Sequence, residues 1–73
     1  MNLYLAKKTG KPLSLRELEV LRLVVMGKGN MEISKTLSMS INTAKLDMRS
    51  ILYKMSVDNR VQAAVKAVRE GLV

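Results

Sequence analysis

The three residues Ser38, Met39 and Ser40 constrain this chain most, because they separate two segments of helical periodicity. Before them, Ile33 and Leu37 stand four residues apart and mark the inner face of a short helix. Ser40 can cap a following helix, and Met39 can fill the space between the two helices. Helices joined by so short a turn must cross steeply, which is typical of a helix-turn-helix unit but also occurs in other helical bundles.

Capping signals set the remaining helix boundaries. Ser14 and Glu17 have the spacing of a capping box, and Asn59 and Gln62 repeat it before the last helix. Asn30 is the expected N-cap of the second helix. No strand-like alternation persists, so the predicted class is all-α, a four-helix bundle that contains a helix-turn-helix. The predicted helices span residues 15–26, 31–38, 41–55 and 60–71.

The composition narrows the function. The 73 residues can form one small core, which Leu, Val, Ile, Met and Ala must fill because Phe and Trp are absent. The absence of Cys and His removes disulfides, thiolate metal sites and the usual neutral-pH proton shuttle. We therefore expect neither an enzyme nor a cofactor, a metal site or a small-molecule ligand.

The charge favours a polyanionic partner. Thirteen basic residues against six acidic ones give a formal charge of +7. The apolar runs are far shorter than the roughly 20 residues that span a bilayer, so we expect no membrane partner and a cytoplasmic, nucleoid-associated protein. Residues 1–12 are expected to be a basic arm or linker remnant, and residues 13–73 the folded domain.

The third predicted helix has two different faces. A buried stripe is expected from Ala44, Met48, Ile51, Leu52 and Met55. The opposite side holds Asn42, Lys45, Leu46, Arg49 and Tyr53. This exposed stripe contains two basic residues and no acidic residue, although such a polar face can also be merely solvated.

The sequence resembles a known family. Leu-Ser-Leu-Arg-Glu-Leu-Glu-Val-Leu at 13–21 resembles the opening Leu-Thr-x-Arg-Glu-x-Glu-Val-Leu of LuxR-type helix-turn-helix domains, found in NarL-like, FixJ-like and GerE-like bacterial transcription regulators. Further positions fit the same pattern: Gly27, Asn30, Glu32, Ile33, Leu37, Ser40, Thr43, Lys45, Ile51, Lys54, Val57, Arg60, Gln62, Ala63 and Ala64. The resemblance implies a response-regulator effector domain that binds double-stranded DNA, with its helix-turn-helix motif at about residues 28–47.

The resemblance also implies which residues read bases. Lys45, Leu46 and Arg49 match the reading positions of the family, and Thr43 matches a phosphate contact. The physical chemistry agrees, since Arg bonds guanine edges and an apolar side chain can contact a thymine methyl.

Further contacts with the DNA backbone are expected around this stripe. Ser40 and Asn42 at the helix start can bind phosphate with the backbone amides. Tyr53 can bond a phosphate or pack at the helix end, and Lys54 is expected at the DNA backbone.

Asp47 departs from the family, which usually has His there. No basic residue lies three or four positions from it, so it is expected either to repel phosphate, to accept from cytosine N4 as a specificity determinant, or to remain in solvent. Asp47 keeps open an alternative function, a helical protein-interaction module with weak or lost DNA specificity. Ser56 also replaces the usual Gly after the third helix, where a left-handed backbone is expected.

The last helix is expected to provide the contact surface of a homodimer. Its apolar residues exceed what one core contact requires, and Val61, Val65 and Val68 are interpreted as the homodimer surface. Glu17 and Arg60 are expected to form a structural pair that joins the first helix to the last. RNA polymerase is a possible further partner.

Overall fold

Each long helix begins at a side chain that accepts a hydrogen bond from the first turn. In the computed structural model, which describes residues 12–73 together with the backbone of residues 5–6 and 11, Ser14 Oγ accepts from Glu17 N at 3.0 Å. Ser40 Oγ accepts from Thr43 N at 3.0 Å, and Asn59 Oδ1 accepts from Gln62 N at 2.9 Å. These caps satisfy amides that have no partner within a helix.

The predicted all-α class is confirmed. The helices are α1 (Leu15–Val25), α2 (Asn30–Thr36), α3 (Ile41–Met55) and α4 (Arg60–Arg69). A minimal pair of antiparallel strands, β1 (Leu5–Ala6) and β2 (Lys11–Pro12), precedes them, and no sequence pattern had predicted it. The predicted basic arm at residues 1–12 lies largely outside the described residues.

The bounds of α3 match the prediction, whereas those of α1, α2 and α4 differ from it by one or two residues. Gly27 has a left-handed backbone with φ +86° after α1, and Gly71 with φ +67° stops α4 two residues after Arg69. At α2, the expected cap Asn30 is wrong, because Gly29 is the N-cap and Asn30 is the first helical residue. The side-chain oxygen of Asn30 instead accepts from Arg60 Nη1 at 3.3 Å.

One core holds the four helices together. The first helix α1 packs against α3 and α4, and α2 packs against α3. Met39 packs against this core from the turn between α2 and α3, as the sequence predicted. The buried apolar residues are Leu13, Val20, Leu21, Val24, Ile33, Ala44, Met48, Ile51, Met55, Ala63 and Ala67.

The inner face of α4 consists of small residues. Ala63 and Ala67 are completely buried, whereas Val61 and Val68 are 68% and 60% exposed. Small side chains let the α4 backbone lie close to its neighbours, so the larger valines of the helix face outward. Within residues 12–73, no helix is long and apolar enough to cross a membrane.

Candidate nucleic-acid interface

The exposed face of α3 carries the three residues that were predicted to read bases. Lys45 and Arg49 are both exposed and lie one helical turn apart, and Leu46 beside them is 61% exposed. Residues four apart on a helix project from the same face. The structure therefore brings Lys45, Leu46 and Arg49 together on one accessible surface, which we call the α3 outer face.

The beginning of α3 adjoins this face. Ser40 Oγ accepts from Thr43 N and donates to Thr43 Oγ1 at 2.9 Å, which ties the two side chains to the first turn. Asn42 is exposed beside them. Amides at the start of a helix carry a partial positive charge, so this end of α3 suits a negatively charged group. Ser40, Asn42 and Thr43 thus lie together as predicted.

At the far end of α3, the other two residues predicted to contact the DNA backbone lie on different sides of the helix. Tyr53 is 67% exposed on the same side as Asn42 and Arg49. Lys54 faces α1, where its Nζ lies 2.9 Å from Glu17 Oε1, and its side chain is only 26% exposed. The expectation that Lys54 extends toward the DNA backbone therefore does not match its position, because the carboxylate of Glu17 holds the ammonium group.

Asp47 lies elsewhere than expected. It is 7% exposed, and its Oδ1 accepts from Arg16 Nη2 at 2.8 Å. The expectation of a solvated acid without a basic partner is wrong, because the partner comes from α1 and not from α3. Because this carboxylate is buried, it is not accessible to a cytosine edge, and it stands apart from the α3 outer face.

Glu17 is the centre of a second contact between α1 and α3. Its carboxylate accepts from Ser14 N at 2.8 Å, from Ser50 Oγ at 2.7 Å and from Lys54 Nζ at 2.9 Å. Burial alone would raise the pKa of Glu17, but these hydrogen bonds and the charge of Lys54 lower it below its ordinary value of 4.5. The side chain remains ionised in neutral solution and fastens α1 to α3.

The predicted pair of Glu17 and Arg60 is wrong. Arg60 Nη2 donates to the carbonyl oxygen of Lys28 at 2.6 Å, and its Nη1 donates to Asn30. Arg60 thus joins α4 to the loop after α1 and to the first residue of α2, whereas Glu17 is already satisfied by Ser14 and by two residues of α3. Each residue is a structural anchor, as expected, but with different partners.

The predicted dimer residues share one side of α4. Val61 is 68% exposed, Val65 46% and Val68 60%. Their spacing of four and three residues places them on one stripe, which we call the valine face. This face does not contribute to the core and is available for a partner.

Two residues of the site were missed from the sequence. Arg16 and Ser50 each contact a residue more than 30 positions away, Asp47 and Glu17 respectively. Helical periodicity assigns a residue to a face but does not identify its neighbour on another helix. Among the described residues, no cluster of acidic side chains is suited to hold a metal ion.

Comparison with known proteins identifies the family. The model for bacterial regulatory proteins of the luxR family matches residues 11–67. The chain is 48% identical over 61 residues to the transcriptional regulatory protein LiaR of Bacillus subtilis, covering 84% of this chain and 29% of LiaR. It is 41% identical over 66 residues to the transcriptional regulatory protein DegU of Brevibacillus brevis, covering 86% of this chain and 28% of DegU.

A solved structure agrees with these relatives. The crystal structure of the response regulator ChrA of a heme-sensing two-component system matches with a TM-score of 0.80 and 33% identity, covering 94% of this chain and 36% of ChrA. The chain spans less than a third of the length of LiaR and DegU.

Proposed function

Because the chain belongs to the luxR family of bacterial regulatory proteins, we propose that it binds specific sequences of double-stranded DNA and regulates transcription in the bacterial cytoplasm. The α3 outer face carries this proposal, since it joins two cations, one apolar side chain and a capped helix start on one exposed surface. The α3 helix has 15 residues, and its length of about 22 Å suits a major groove.

The residue roles follow from their chemistry. Arg49 is proposed to bond a guanine edge, Lys45 to bond an adjacent base, and Leu46 to contact a thymine methyl. Ser40, Asn42 and Thr43 are proposed to hold a phosphate at the positive end of α3, with Tyr53 as a further phosphate contact. Lys54 is left out of this set because it pairs with Glu17.

We further propose that the chain acts as a homodimer through the valine face. Three exposed valines on one stripe are more apolar surface than a monomeric helix of 10 residues needs. Two copies would place their α3 helices about one DNA turn, roughly 34 Å, apart on an inverted or direct repeat. An exposed surface that contacts RNA polymerase would be needed if the protein is an activator.

The alternative function, a protein-interaction module without DNA specificity, rested on an unpaired acid in α3. Arg16 neutralises that acid, so Asp47 no longer favours this alternative.

Selection of duplexes from a random pool by the 73-residue chain tests the proposal. The selected duplex should bind much more tightly than a scrambled duplex, and affinity should fall by about 0.9 log units per log unit of salt for each phosphate contacted. Arg49→Ala should lose roughly 1–3 kcal/mol on the selected duplex only. Arg69→Ala removes an exposed charge from α4 and is the matched control. Equal discrimination by Arg49→Ala and the parent would contradict the assignment of the reading face.

A further inference from the structure

The ion pair between Arg16 and Asp47 is unequal in exposure. The side chain of Arg16 is 60% exposed, whereas that of Asp47 is 9% exposed. The pair therefore buries an acid and leaves most of its cation in contact with solvent. It joins the first turn of α1 to the middle of α3.

Asp47 depends on Arg16 for its compensation. Its Oδ2 is buried and has no hydrogen-bond partner among the described residues. Charges and polar atoms removed from water are costly unless they are paired, so the contact with Asp47 Oδ1 favours a position of the guanidinium beside this carboxylate. A guanidinium has five N–H donors in one plane, and those that do not face Asp47 remain available to another acceptor.

The ion pair lies near the end of α3 that is proposed to bind a phosphate. Asp47 follows Thr43 by four residues, so both lie on one flank of α3 about 6 Å apart along the axis. Thr43 is half-buried there and bonded to Ser40. Arg16 thus brings a fixed positive charge to the same flank, next to the end of α3 that is proposed to hold a phosphate.

We infer that Arg16 binds a phosphate of the DNA backbone beside the α3 helix, and that Asp47 is a positioning residue that orients Arg16 for this contact. The inference rests on the proposed DNA binding and adds to it a cation from α1. It also explains how an acid can stand in a helix that approaches a polyanion: Asp47 is covered, and the charge presented outward is that of Arg16.

The inference predicts that Asp47→Asn changes DNA affinity in the direction opposite to the one expected from charge alone. By charge alone, Asp47→Asn should strengthen DNA binding because it removes a negative charge near the phosphates. If Asp47 orients Arg16, the same substitution should weaken binding by about fivefold, the effect of one hydrogen bond. A purely structural ion pair would change thermal stability without this loss of affinity.

The experiment measures salt-dependent affinity of the 73-residue chain for a duplex selected from a random pool and for a scrambled duplex. Arg16→Gln should weaken binding to both duplexes and reduce the slope of log affinity against log salt by about 0.9, the value for one phosphate. Asp47→Asn should weaken binding as well, and the double variant should bind no more weakly than Arg16→Gln. Circular dichroism and thermal melting restrict the comparison to temperatures at which every variant is folded.

Two matched controls isolate the effect. Arg22→Gln removes a charge from α1 about 9 Å further along the helix, and Glu19→Gln removes an exposed acid from the same helix. Neither control should lower the salt slope by 0.9.

Three outcomes are decisive. An Arg16→Gln slope equal to that of the parent would overturn the phosphate contact. Tighter binding by Asp47→Asn would overturn the positioning role. If the parent itself does not distinguish the selected duplex from the scrambled one, the proposed function fails instead, whatever Arg16 does.

Discussion

Ser56 has a backbone conformation that suits glycine better. Its φ of 57° and ψ of 46° are left-handed, and it is the C-cap of α3. A residue other than glycine is destabilised in this conformation because its Cβ atom approaches the backbone. The absence of the usual Gly at this position was visible in the sequence, and the conformation expected there is confirmed.

Ser56→Gly should therefore stabilise the protein by about 0.5–1 kcal/mol, since glycine adopts a left-handed conformation without strain. Ser56→Ala is the control, because it also removes the hydroxyl but keeps Cβ, and it should give no gain. Urea unfolding of the two variants and the parent measures the difference. A gain from Ala equal to that from Gly would show that the hydroxyl, and not the backbone, is responsible.

The ionisation of Glu17 makes the free energy of unfolding depend on pH. Its folded pKa is lowered, so its contribution is complete above the ordinary value of 4.5 and disappears as the pH falls through the lower folded pKa. Glu17→Gln should reduce the free energy of unfolding by about 2 kcal/mol at neutral pH, because Lys54 and Ser50 lose a charged acceptor.

The difference between Glu17→Gln and the parent should shrink steadily as the pH falls below about 4.5. Thermal or urea unfolding at pH values from 7 to 3 measures it. Glu19→Gln, at an exposed position of the same helix, should stay within about 0.5 kcal/mol of the parent. A constant difference between Glu17→Gln and the parent throughout this range would contradict the role of the ionised carboxylate.

Contacts at short range could be predicted from the sequence, and contacts at long range could not. The caps at Ser14, Ser40 and Asn59 involve residues three positions apart, so residue type and local spacing identified them, although the same signals misplaced the cap of α2 at Asn30. The pair of Arg16 and Asp47 spans 31 positions, and it depends on how α1 lies across α3. That geometry is set by packing of the whole core, which spacing along the chain does not contain.

At the scale of elements, helix periodicity predicted α3 better than α4. The buried stripe of α3 stands out because Met and Ile face Lys, Asn and Arg across the helix. In α4, small and large apolar residues occur on both sides, so hydropathy alone does not rank the faces. The size of the side chains separates the inner face of α4 from its outer face, since the two completely buried positions are alanines.

Ala67→Leu should destabilise the protein by about 1–3 kcal/mol, because no space remains for a larger side chain at a fully buried position. Val68→Leu enlarges the neighbouring exposed residue and should change stability by less than about 0.5 kcal/mol. Urea unfolding compares the two. Equal effects would mean that α4 does not pack as closely on α1 as the buried alanines indicate.

At the scale of the whole molecule, the proposed reading face and the proposed dimer face lie on different helices, α3 and α4. They can therefore be changed separately. The valine face contributes nothing to the core, so a charge placed there should leave folding unchanged.

Val65→Asp should abolish self-association, because it buries an unpaired charge in the centre of the proposed contact. Met31→Asp is the control, since Met31 is a 57% exposed apolar residue on α2, a different helix from the one that carries the valine face. Sedimentation measures the oligomeric state of each variant, alone and on a selected duplex. A parent that stays monomeric on a two-site duplex would contradict the dimer.

The two ion pairs between α1 and α3 also determine how these helices can meet. Arg16 and Glu17 are neighbours of opposite charge, and they contact an acid and a base of α3, Asp47 and Lys54. A misdocked α1 in which the neighbours exchanged places would set Glu17 against Asp47 and Arg16 against Lys54, two repulsive contacts. The opposite charges of these two neighbours therefore disfavour mispacked states during folding and favour one position of α1 on α3.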